Sequence, residues 1–336
     1  MPKYHIITYG CQMNKADSER IASSLEKRGY KPVQSPKEAD LIVVNMCSVR
    51  QSAVDRVFGM PMKLKGLKTK NYKLKTILTG CILKKDEAKF REIFDEIKKM
   101  PQRSCPSTFI PISNGCDNFC SYCVVPFTRG RLICRNHQEI LKEVKNILGN
   151  PIRKNNFSNG AEVWLLGQNV NDYKSGTVNF AKLVKMVDDI PGDFKFFFMS
   201  PNPKNFSDEL INTLTECKKF GRRLNLPIQS GDDKILKKMK RNYTVKQYKD
   251  LVKRIREKML DINLSTDVIA GFPGETKKQF ENTVKLFKTI KFDIAYVSKY
   301  SPRPGTASFK MKDDISREEK NRRAKILMKL VKHPNI

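Results

Sequence analysis

Six of the nine cysteines fall into two sets of three whose positions suit metal chemistry. Cys116, Cys120 and Cys123 lie close together in the stretch NGCDNFCSYC. Thiolates spaced this tightly bind zinc or iron–sulfur clusters. Structural zinc would need a fourth ligand, and none of the three histidines has the spacing of a zinc finger. A 4Fe–4S cluster held by three thiolates leaves one iron open to an outside ligand, which indicates chemistry rather than scaffolding.

The second set, Cys11, Cys47 and Cys81, is spread over the first hundred residues, and each cysteine follows a predicted strand. In an open parallel sheet the carboxyl ends of the strands share one edge, where ligands bind. We therefore expect these three thiols to meet at one site. Gly10 and Gly80 suit a backbone that turns tightly around a bulky ligand. The alternative is three buried, unreactive cysteines, which are common in protein cores.

The charge of the chain predicts a polyanionic partner. It has 65 Lys and Arg residues against 35 Asp and Glu, a formal net charge of +30. The densest run, residues 63–85, contains eight lysines and no acidic residue. Clustered cations gain free energy by displacing the counterions condensed on nucleic acid, so RNA or DNA is the expected partner. A solvated, highly soluble surface is the alternative.

The cellular compartment is predicted from the absence of a membrane-spanning segment and of a signal peptide in the sequence. It has no apolar run near the roughly 18 residues that a membrane span needs, and its first residues lack the features of a signal peptide. We therefore predict a soluble cytoplasmic protein with no membrane partner, whose cysteines stay reduced. The remaining cysteines, Cys105, Cys134 and Cys217, have no ligand-like neighbours in the sequence and are interpreted as packing or surface thiols.

Short apolar runs alternate with helical patterns over residues 1–100, which predicts a small parallel α/β sheet. The first helix is expected to begin at Asp17 or Ser18, which are good N-caps, and to stop at Gly29. The predicted strands are Tyr4–Tyr9, Leu41–Asn45 and Thr76–Thr79, and the other predicted helices are Val49–Phe58 and Glu87–Lys99.

Pro101–Ser107 interrupts this alternation and predicts a linker between a domain of residues 1–100 and a domain of residues 108–336. Six predicted βα units in the second domain favour a partial (β/α)6 TIM-like barrel. A doubly wound sheet is the alternative, because periodicity does not reveal closure. The predicted strands are Phe109–Ile112, Val163–Leu166, Phe196–Met199, Leu224–Ile228, Leu264–Ile269 and Ile294–Lys299, and the helices are Gln138–Leu148, Asp208–Cys217, Val245–Met259 and Lys277–Ile290.

Distinctive blocks span positions 6–308. They are, in order, ITYGCQMNKADSE, NMCSVRQSAVDRVFG, TGC, SNGCDNFCSYCVVPFTRGR, LLGQNVNDY, SPNPKNFSDELI, LPIQSGDDKILKKMKRNYT, STDVIAGFPGETKKQF and YSPRPGTAS. The CxxxCxxC spacing resembles the radical S-adenosylmethionine (SAM) superfamily, and the whole set resembles its methylthiotransferases, most closely the MiaB-type tRNA methylthiotransferases. Such proteins usually continue into a small β-barrel domain called TRAM. This sequence ends at KHPNI, so a form without TRAM is expected.

The resemblance implies two 4Fe–4S clusters, an auxiliary one on the Cys11 set and a radical SAM cluster on the Cys116 set. It implies transfer of a methylthio group to carbon 2 of N6-isopentenyladenosine at tRNA position 37, with SAM as cofactor and no catalytic residue beyond the clusters. The implied partners are the anticodon stem-loop of tRNA and an electron donor such as flavodoxin or ferredoxin, and the protein is expected to be a monomer.

Further site residues are carried over at matching positions. Those expected to hold SAM, mostly at strand ends of the second domain, are Tyr122, Gly167, Gln168, Asn169, Gln229, Ser230, Gly231, Gly271, Gly274, Glu275 and Tyr300. Those expected to hold tRNA phosphates are Arg129, Arg131, Lys240, Arg241 and Arg303. Ordinary turn residues and solvated surface charges are the alternative roles.

Two rival functions stay open at this point. One is a sister methylthiotransferase acting on threonylcarbamoyladenosine of tRNA or on an aspartate of a ribosomal protein. The blocks YGCQMN and CSVRQSAVDRVFG favour the isopentenyladenosine enzyme over both. The other rival is a non-catalytic iron–sulfur protein that binds RNA.

Overall fold

The computed structural model describes residues 1–49, 51–98, 108–149, 161–331 and 333–334. The chain divides into two compact units. Unit 1 comprises residues 1–111 and 124–130, and unit 2 comprises residues 112–123 and 131–336. The segment 124–130 thus belongs with unit 1. The predicted division had placed it in the second domain. The predicted linker Pro101–Ser107 lies outside the described residues.

Unit 1 is built on a parallel sheet of short strands. They are β1 (Lys3–Tyr9), β2 (Lys31–Pro32), β3 (Leu41–Cys47), β4 (Lys75–Cys81) and β5 (Glu96–Ile97), and β6 (Phe109–Pro111) follows them in the chain. The sheet order is β2-β1-β3-β4-β5. This is the order of a doubly wound sheet, whose ligands bind where the order reverses, at the carboxyl ends of β1 and β3.

The helices of unit 1 differ from the prediction at their ends. They are α1 (Gln12–Glu26), α2 (Gln51–Phe58), α3 (Pro61–Lys70), α4 (Lys84–Arg91) and α5 (Val125–Thr128). The predicted start of α1 at Asp17 was wrong, because Cys11 serves as the N-cap and Asn14 completes a capping box with it. Helix α3 was not predicted, and α4 ends before the predicted Lys99 because Glu96 and Ile97 join the sheet.

The central strand β3 reads LIVVNMC and is buried along its whole length, as expected for a parallel strand covered on both faces. Its alternate residues face opposite sides of the sheet. Ile42 and Val44 pack with Leu78 of β4 in one apolar cluster, and Val43 packs with Tyr4 in another. Residues of α2, α3 and α4 join the first cluster and residues of α1 join the second, so helices cover both faces of the sheet.

Unit 2 contains the remaining described elements. The strands are β7 (Ser113–Asn114), β8 (Ile133–Cys134), β9 (Ala161–Leu166), β10 (Lys174–Ser175), β11 (Val178–Asn179), β12 (Phe194–Phe198), β13 (Arg223–Asn225), β14 (Asn263–Ala270), β15 (Ile294–Lys299) and β16 (His333–Pro334). The helices are α6 (His137–Leu148), α7 (Phe180–Asp188), α8 (Asp208–Glu216), α9 (Asp233–Lys238), α10 (Val245–Lys258), α11 (Lys277–Ile290) and α12 (Arg317–Met328).

Its long strands pair in parallel with their neighbours in the chain. β9 pairs with β12, and β13, β14, β15 and β16 pair in sequence. A parallel bridge between Phe196 and Phe220 leads from β12 towards β13. The order never reverses in these pairings, which excludes the doubly wound alternative and confirms the barrel-like α/β architecture. β13 ends at Asn225, before the predicted Ile228. No helix in the described ranges is long and apolar enough to cross a membrane.

Leu78→Ala is expected to destabilise unit 1 by about 2–5 kcal/mol, because Leu78 is fully buried and its loss leaves a cavity. Amide hydrogen exchange should show faster exchange along β3 and β4 and unchanged exchange along β14 in unit 2. The matched control is Met62→Ala, at an 88% exposed position in the same unit. Equal protection in the Leu78 variant and the control would contradict this account of the core.

Candidate metal centres

The ladder between β3 and β4 places two cysteines side by side. Cys47 and Cys81 are direct partners in the register, and both are buried. Cys11 lies two residues beyond the end of β1, at the N-cap of α1. The Cys47 thiol is hydrogen-bonded to both of the other thiols. Unit 1 therefore brings its three predicted ligands together.

Asn14 holds the Cys11 turn onto the sheet. Its side chain is fully buried and donates to Asn45 Oδ1 at 3.0 Å and to the Met46 carbonyl at 3.1 Å. Its own Oδ1 accepts from the Cys11 backbone N–H at 3.3 Å and lies 3.4 Å from the Cys11 sulfur. One amide thus ties the first cysteine to the strand that carries the second.

Two glycines let the backbone approach these groups. A Cβ on Gly10 would lie 2.3 Å from Asn14 Oδ1. A Cβ on Gly80 would lie 2.2 Å from the Met46 carbonyl oxygen, and its φ of +106° favours glycine. These positions therefore require the absence of a side chain because the backbone packs closely against Asn14 and Met46. Their predicted role around a bulky ligand stays a prediction.

The three thiols of this site differ in the direction of their pKa shifts. The pKa of the Cys81 thiol is lowered by its hydrogen bond from Cys47 and by the positive charge of Arg129, although burial opposes both. The pKa of Cys11 is raised by its hydrogen bond to Cys47 and by burial. The hydrogen bond that Cys47 accepts from Cys11 lowers the pKa of Cys47. The hydrogen bond that Cys47 donates to Cys81, together with burial, raises the same pKa and outweighs the first effect. The thiols form a chain that ends on Cys81 beside a cation.

The second triad lies in a tight loop of unit 2. The Cys123 N–H donates to the Cys120 carbonyl at 3.0 Å, and Gln168 Oε1 accepts from the Gly115 N–H at 2.7 Å. Burial raises the pKa of the Cys116 thiol, whose sulfur lies 3.4 Å from Asn118 Nδ2. The loop that carries the cysteines is thus tied to the end of β9.

A cation also accompanies this triad. Arg241 Nη1 lies 3.7 Å from the Cys120 sulfur, and the same guanidinium donates to the Pro227 carbonyl at 3.0 Å and to the Tyr243 hydroxyl at 2.9 Å. Each set of three cysteines therefore has one arginine within hydrogen-bonding distance of one sulfur.

The residues around both triads suit a thiolate-ligated cluster. Among the described residues, no three Cys, His, Asp or Glu side chains are arranged to hold a single metal ion. A 4Fe–4S cluster takes its thiolates on different iron atoms, so three thiolates leave one iron open. In the same part of the chain, buried polar atoms without partners lie near the triads: Ser48 Oγ next to Cys47, and Ser113 Oγ, Ser121 Oγ and Asn169 Oδ1 in unit 2. Such atoms can serve a bound group.

Several residues predicted to hold SAM line up at the carboxyl ends of strands in unit 2. Tyr122 packs against the apolar cluster formed by Ile235, Met239, Phe272 and Tyr300. Gln168 reaches the cysteine loop, and Asn169 is buried and donates to Asp172. Gln229 has a φ of +68°, and the Ser230 hydroxyl, fully buried, accepts from the Asp232 N–H at 3.3 Å.

Other predicted SAM residues have structural contacts. The Glu275 carboxylate and Arg323 form a buried ion pair at 2.8 Å, and the Gly271 N–H donates to the same carboxylate at 3.0 Å. Helix α11 begins after Thr276, which caps it. Gly274 donates to Asp314. Close packing accounts for the other two glycines, since a Cβ would lie 2.6 Å from Ser113 Oγ at Gly167 and 2.5 Å from Thr283 Cα at Gly231.

The five basic residues predicted to hold phosphates divide by exposure. The Arg131 side chain is 72% exposed, and Lys240 is exposed. Arg303 is buried, and Arg129 and Arg241 point at cysteine sulfurs. Of the remaining cysteines, Cys217 is buried and the Cys134 sulfur lies 3.4 Å from the Lys174 N–H, whereas Cys105 lies outside the described residues.

Known proteins match the chain over nearly its whole length. Residues 3–100 match the "Uncharacterized protein family UPF0004" and residues 110–287 match the "Radical SAM superfamily". The tRNA-2-methylthio-N(6)-dimethylallyladenosine synthase of Dehalococcoides mccartyi is 39% identical over 99% of this chain and 83% of its own length. The protein of the same name from Clostridium novyi is 36% identical over 98% and 81%. The chain belongs to the family of tRNA-2-methylthio-N(6)-dimethylallyladenosine synthases.

Solved structures share the fold of this synthase family member. The radical SAM methyltransferase TsrM from Kitasatospora setae superposes with a TM-score of 0.61 over 92% of this chain and 77% of its own, at 13% identity. The radical SAM enzyme OxsB superposes with a TM-score of 0.60 over 98% and 56%, at 12% identity. At these identities the likeness supports the fold alone.

Sequence reasoning missed two features of the synthase site. Asn14 lies three residues after Cys11, the spacing of a capping box, but cysteine is not among the usual N-caps. Arg129 was assigned to phosphate, because nothing in the sequence shows that residues 124–130 fold back onto unit 1. The capping spacing could have revealed the first feature, and no local signal marks the second.

Asn14→Ala is expected to weaken cluster retention at the first triad. The change leaves buried partners unpaired at about 1–3 kcal/mol each and frees the Cys11 turn. After anaerobic reconstitution and a chelator challenge, the variant should lose one cluster's share of iron while the parent keeps both. The control is Asn179→Ala, which removes the cap of α7 in unit 2. Iron retention equal to the control would show that Asn14 does not position Cys11.

Proposed function

We propose that this protein transfers a methylthio group to carbon 2 of N6-isopentenyladenosine in tRNA, at position 37 beside the anticodon. The observation that carries the proposal is the pair of three-cysteine sites, one assembled from strand ends in unit 1 and one in the loop of unit 2. Family membership supports the substrate class. The +30 charge supports a nucleic acid partner.

In this proposal Cys11, Cys47 and Cys81 hold an auxiliary 4Fe–4S cluster, and Cys116, Cys120 and Cys123 hold the radical SAM cluster. When bound, the clusters and SAM supply the one-electron and sulfur chemistry that side chains cannot provide. The protein contributes the positions of the ligands, the local charge and the exclusion of water. Three ligands at each site leave one coordination position open.

On the SAM side, the cluster of Ile235, Met239, Phe272 and Tyr300, against which Tyr122 of the cysteine loop packs, provides an apolar wall. The orphan Asn169 Oδ1 and Ser121 Oγ are suited to hydrogen-bond a polar ligand there. We propose that these groups orient SAM, together with the strand-end residues Gln168 and Gln229. The other residues predicted for SAM contribute mainly through turn geometry and packing.

For tRNA, we propose that the exposed Arg131 and Lys240 contact phosphates, together with the lysines of α3. An adenosine must leave the base stack before carbon 2 can react, and anticodon loops present such bases. We further propose a monomeric cytoplasmic enzyme that takes single electrons from a flavodoxin- or ferredoxin-type donor.

The test is mass analysis of nucleosides from tRNA that carries N6-isopentenyladenosine, incubated anaerobically with reconstituted protein, SAM and dithionite. We expect conversion to the methylthio nucleoside, with no detectable conversion by Cys47→Ala or by Cys120→Ala. Loss in both variants is expected because each removes one ligand of a different cluster. Unmodified tRNA after incubation with protein loaded at both sites would refute the proposed function.

A further inference from the structure

Arg129 lies in the interior of unit 1, although the sequence placed it among phosphate-binding residues. Its side chain is only 9% exposed. Its Nε donates to the Cys81 sulfur at 2.9 Å, and its Nη2 donates to Asp17 Oδ2 at 2.9 Å. The guanidinium is therefore engaged by two groups of its own unit.

The geometry uses the fork of an arginine. One arm reaches the cysteine at the end of β4, and the other reaches α1, the helix capped by Cys11. Arg129 itself directly follows α5, and its backbone N–H donates to the Val125 carbonyl at 2.8 Å. Because lysine presents a single ammonium on a flexible stem, it lacks the rigid fork that holds these two contacts in fixed directions.

The electrostatic consequence concerns electron transfer more than folding. Hydrogen bonds and positive charge at a ligand sulfur stabilise the reduced, more negative form of an iron–sulfur cluster. The Arg129 contact is partly buried, and solvent screens charge less there than at the exposed surface. Asp17 is 21% exposed and carries the opposite charge, so it fixes the guanidinium while offsetting part of its field.

We propose that Arg129 is a positioning residue that raises the reduction potential of the auxiliary cluster through its hydrogen bond to Cys81, with Asp17 as its anchor and partial counterweight. The inference rests on the proposed function, since it requires a cluster on Cys11, Cys47 and Cys81. The step is a one-electron reduction of that cluster by a low-potential one-electron donor, with no bond broken and no proton transferred.

A purely structural ion pair makes a different prediction. If the pair only braced α1 against β4, breaking it from either end would have the same effect. If the guanidinium tunes the cluster, Arg129→Gln removes the positive charge and lowers the potential. Asp17→Asn keeps the guanidinium and removes its counter-charge, so the potential stays equal or rises. The sign of the second shift distinguishes the two roles.

The experiment uses the full-length chain with Cys116, Cys120 and Cys123 replaced by alanine, so that only the auxiliary cluster is loaded. Midpoint potentials are measured by redox titration followed by electron paramagnetic resonance. For Arg129→Gln we expect a tenfold lower ratio of reduced to oxidised cluster at a fixed potential, a shift of about 59 mV for one electron. Arg129→Lys should shift less in the same direction. Arg91→Gln, an exposed position in the same unit, should not shift.

An unshifted potential in Arg129→Gln, or equal downward shifts in Arg129→Gln and Asp17→Asn, would overturn the inference. If Arg129→Gln does not retain its cluster, Arg129→Lys and Asp17→Asn decide. A lowered potential in Arg129→Lys with an equal or raised potential in Asp17→Asn supports the role, and any other pair of results overturns it. If the starting chain holds no cluster, the proposed function fails together with this inference. If it holds the cluster but the potentials shift otherwise than expected, only this inference fails.

Discussion

The parallel ladder of β1, β3 and β4 determines where the thiols of unit 1 lie. Cys47 and Cys81 are register partners, and Tyr9, two residues before Cys11, pairs with Met46. A shift of one residue in either pairing would turn every side chain of the strand to the opposite face. The fully buried β3 prevents such a shift, because its apolar residues are divided between two clusters on opposite faces. The metal chemistry therefore depends on ordinary strand packing.

Gathering thiols at one site also concentrates negative charge when they ionise, and each unit places one arginine at one of its sulfurs. Arg129 contacts Cys81 in unit 1, and Arg241 contacts Cys120 in unit 2. Each arginine has further internal partners that fix its orientation. A neutral donor, Asn118 Nδ2, assists at Cys116. At Cys11 the thiol itself donates to Asn14 Oδ1. Thiolates buried without such partners would be costly, since a buried charge requires compensation.

Much of this arrangement could be predicted from the sequence because it depends on local periodicity. β15 and α11 have the predicted limits, and the strand ends that bear the first three cysteines follow from the βαβ alternation. What could not be predicted depends on contacts distant in sequence. The inward orientation of Arg129 requires residues 124–130 to pack with residues that lie more than 100 positions earlier in the chain, such as Asp17. Helix α3 was not predicted because lysines separate its few apolar residues, so that they show little helical period.

The central claim is that the chain holds two separate clusters on two sets of three cysteines. Iron and acid-labile sulfide should be quantified after anaerobic reconstitution of three full-length chains: the parent, the chain lacking the thiols at 11, 47 and 81, and the chain lacking those at 116, 120 and 123. The account predicts about eight irons in the parent and about four in each variant. Zinc in place of iron, or a parent that holds no more iron than either variant, would contradict it.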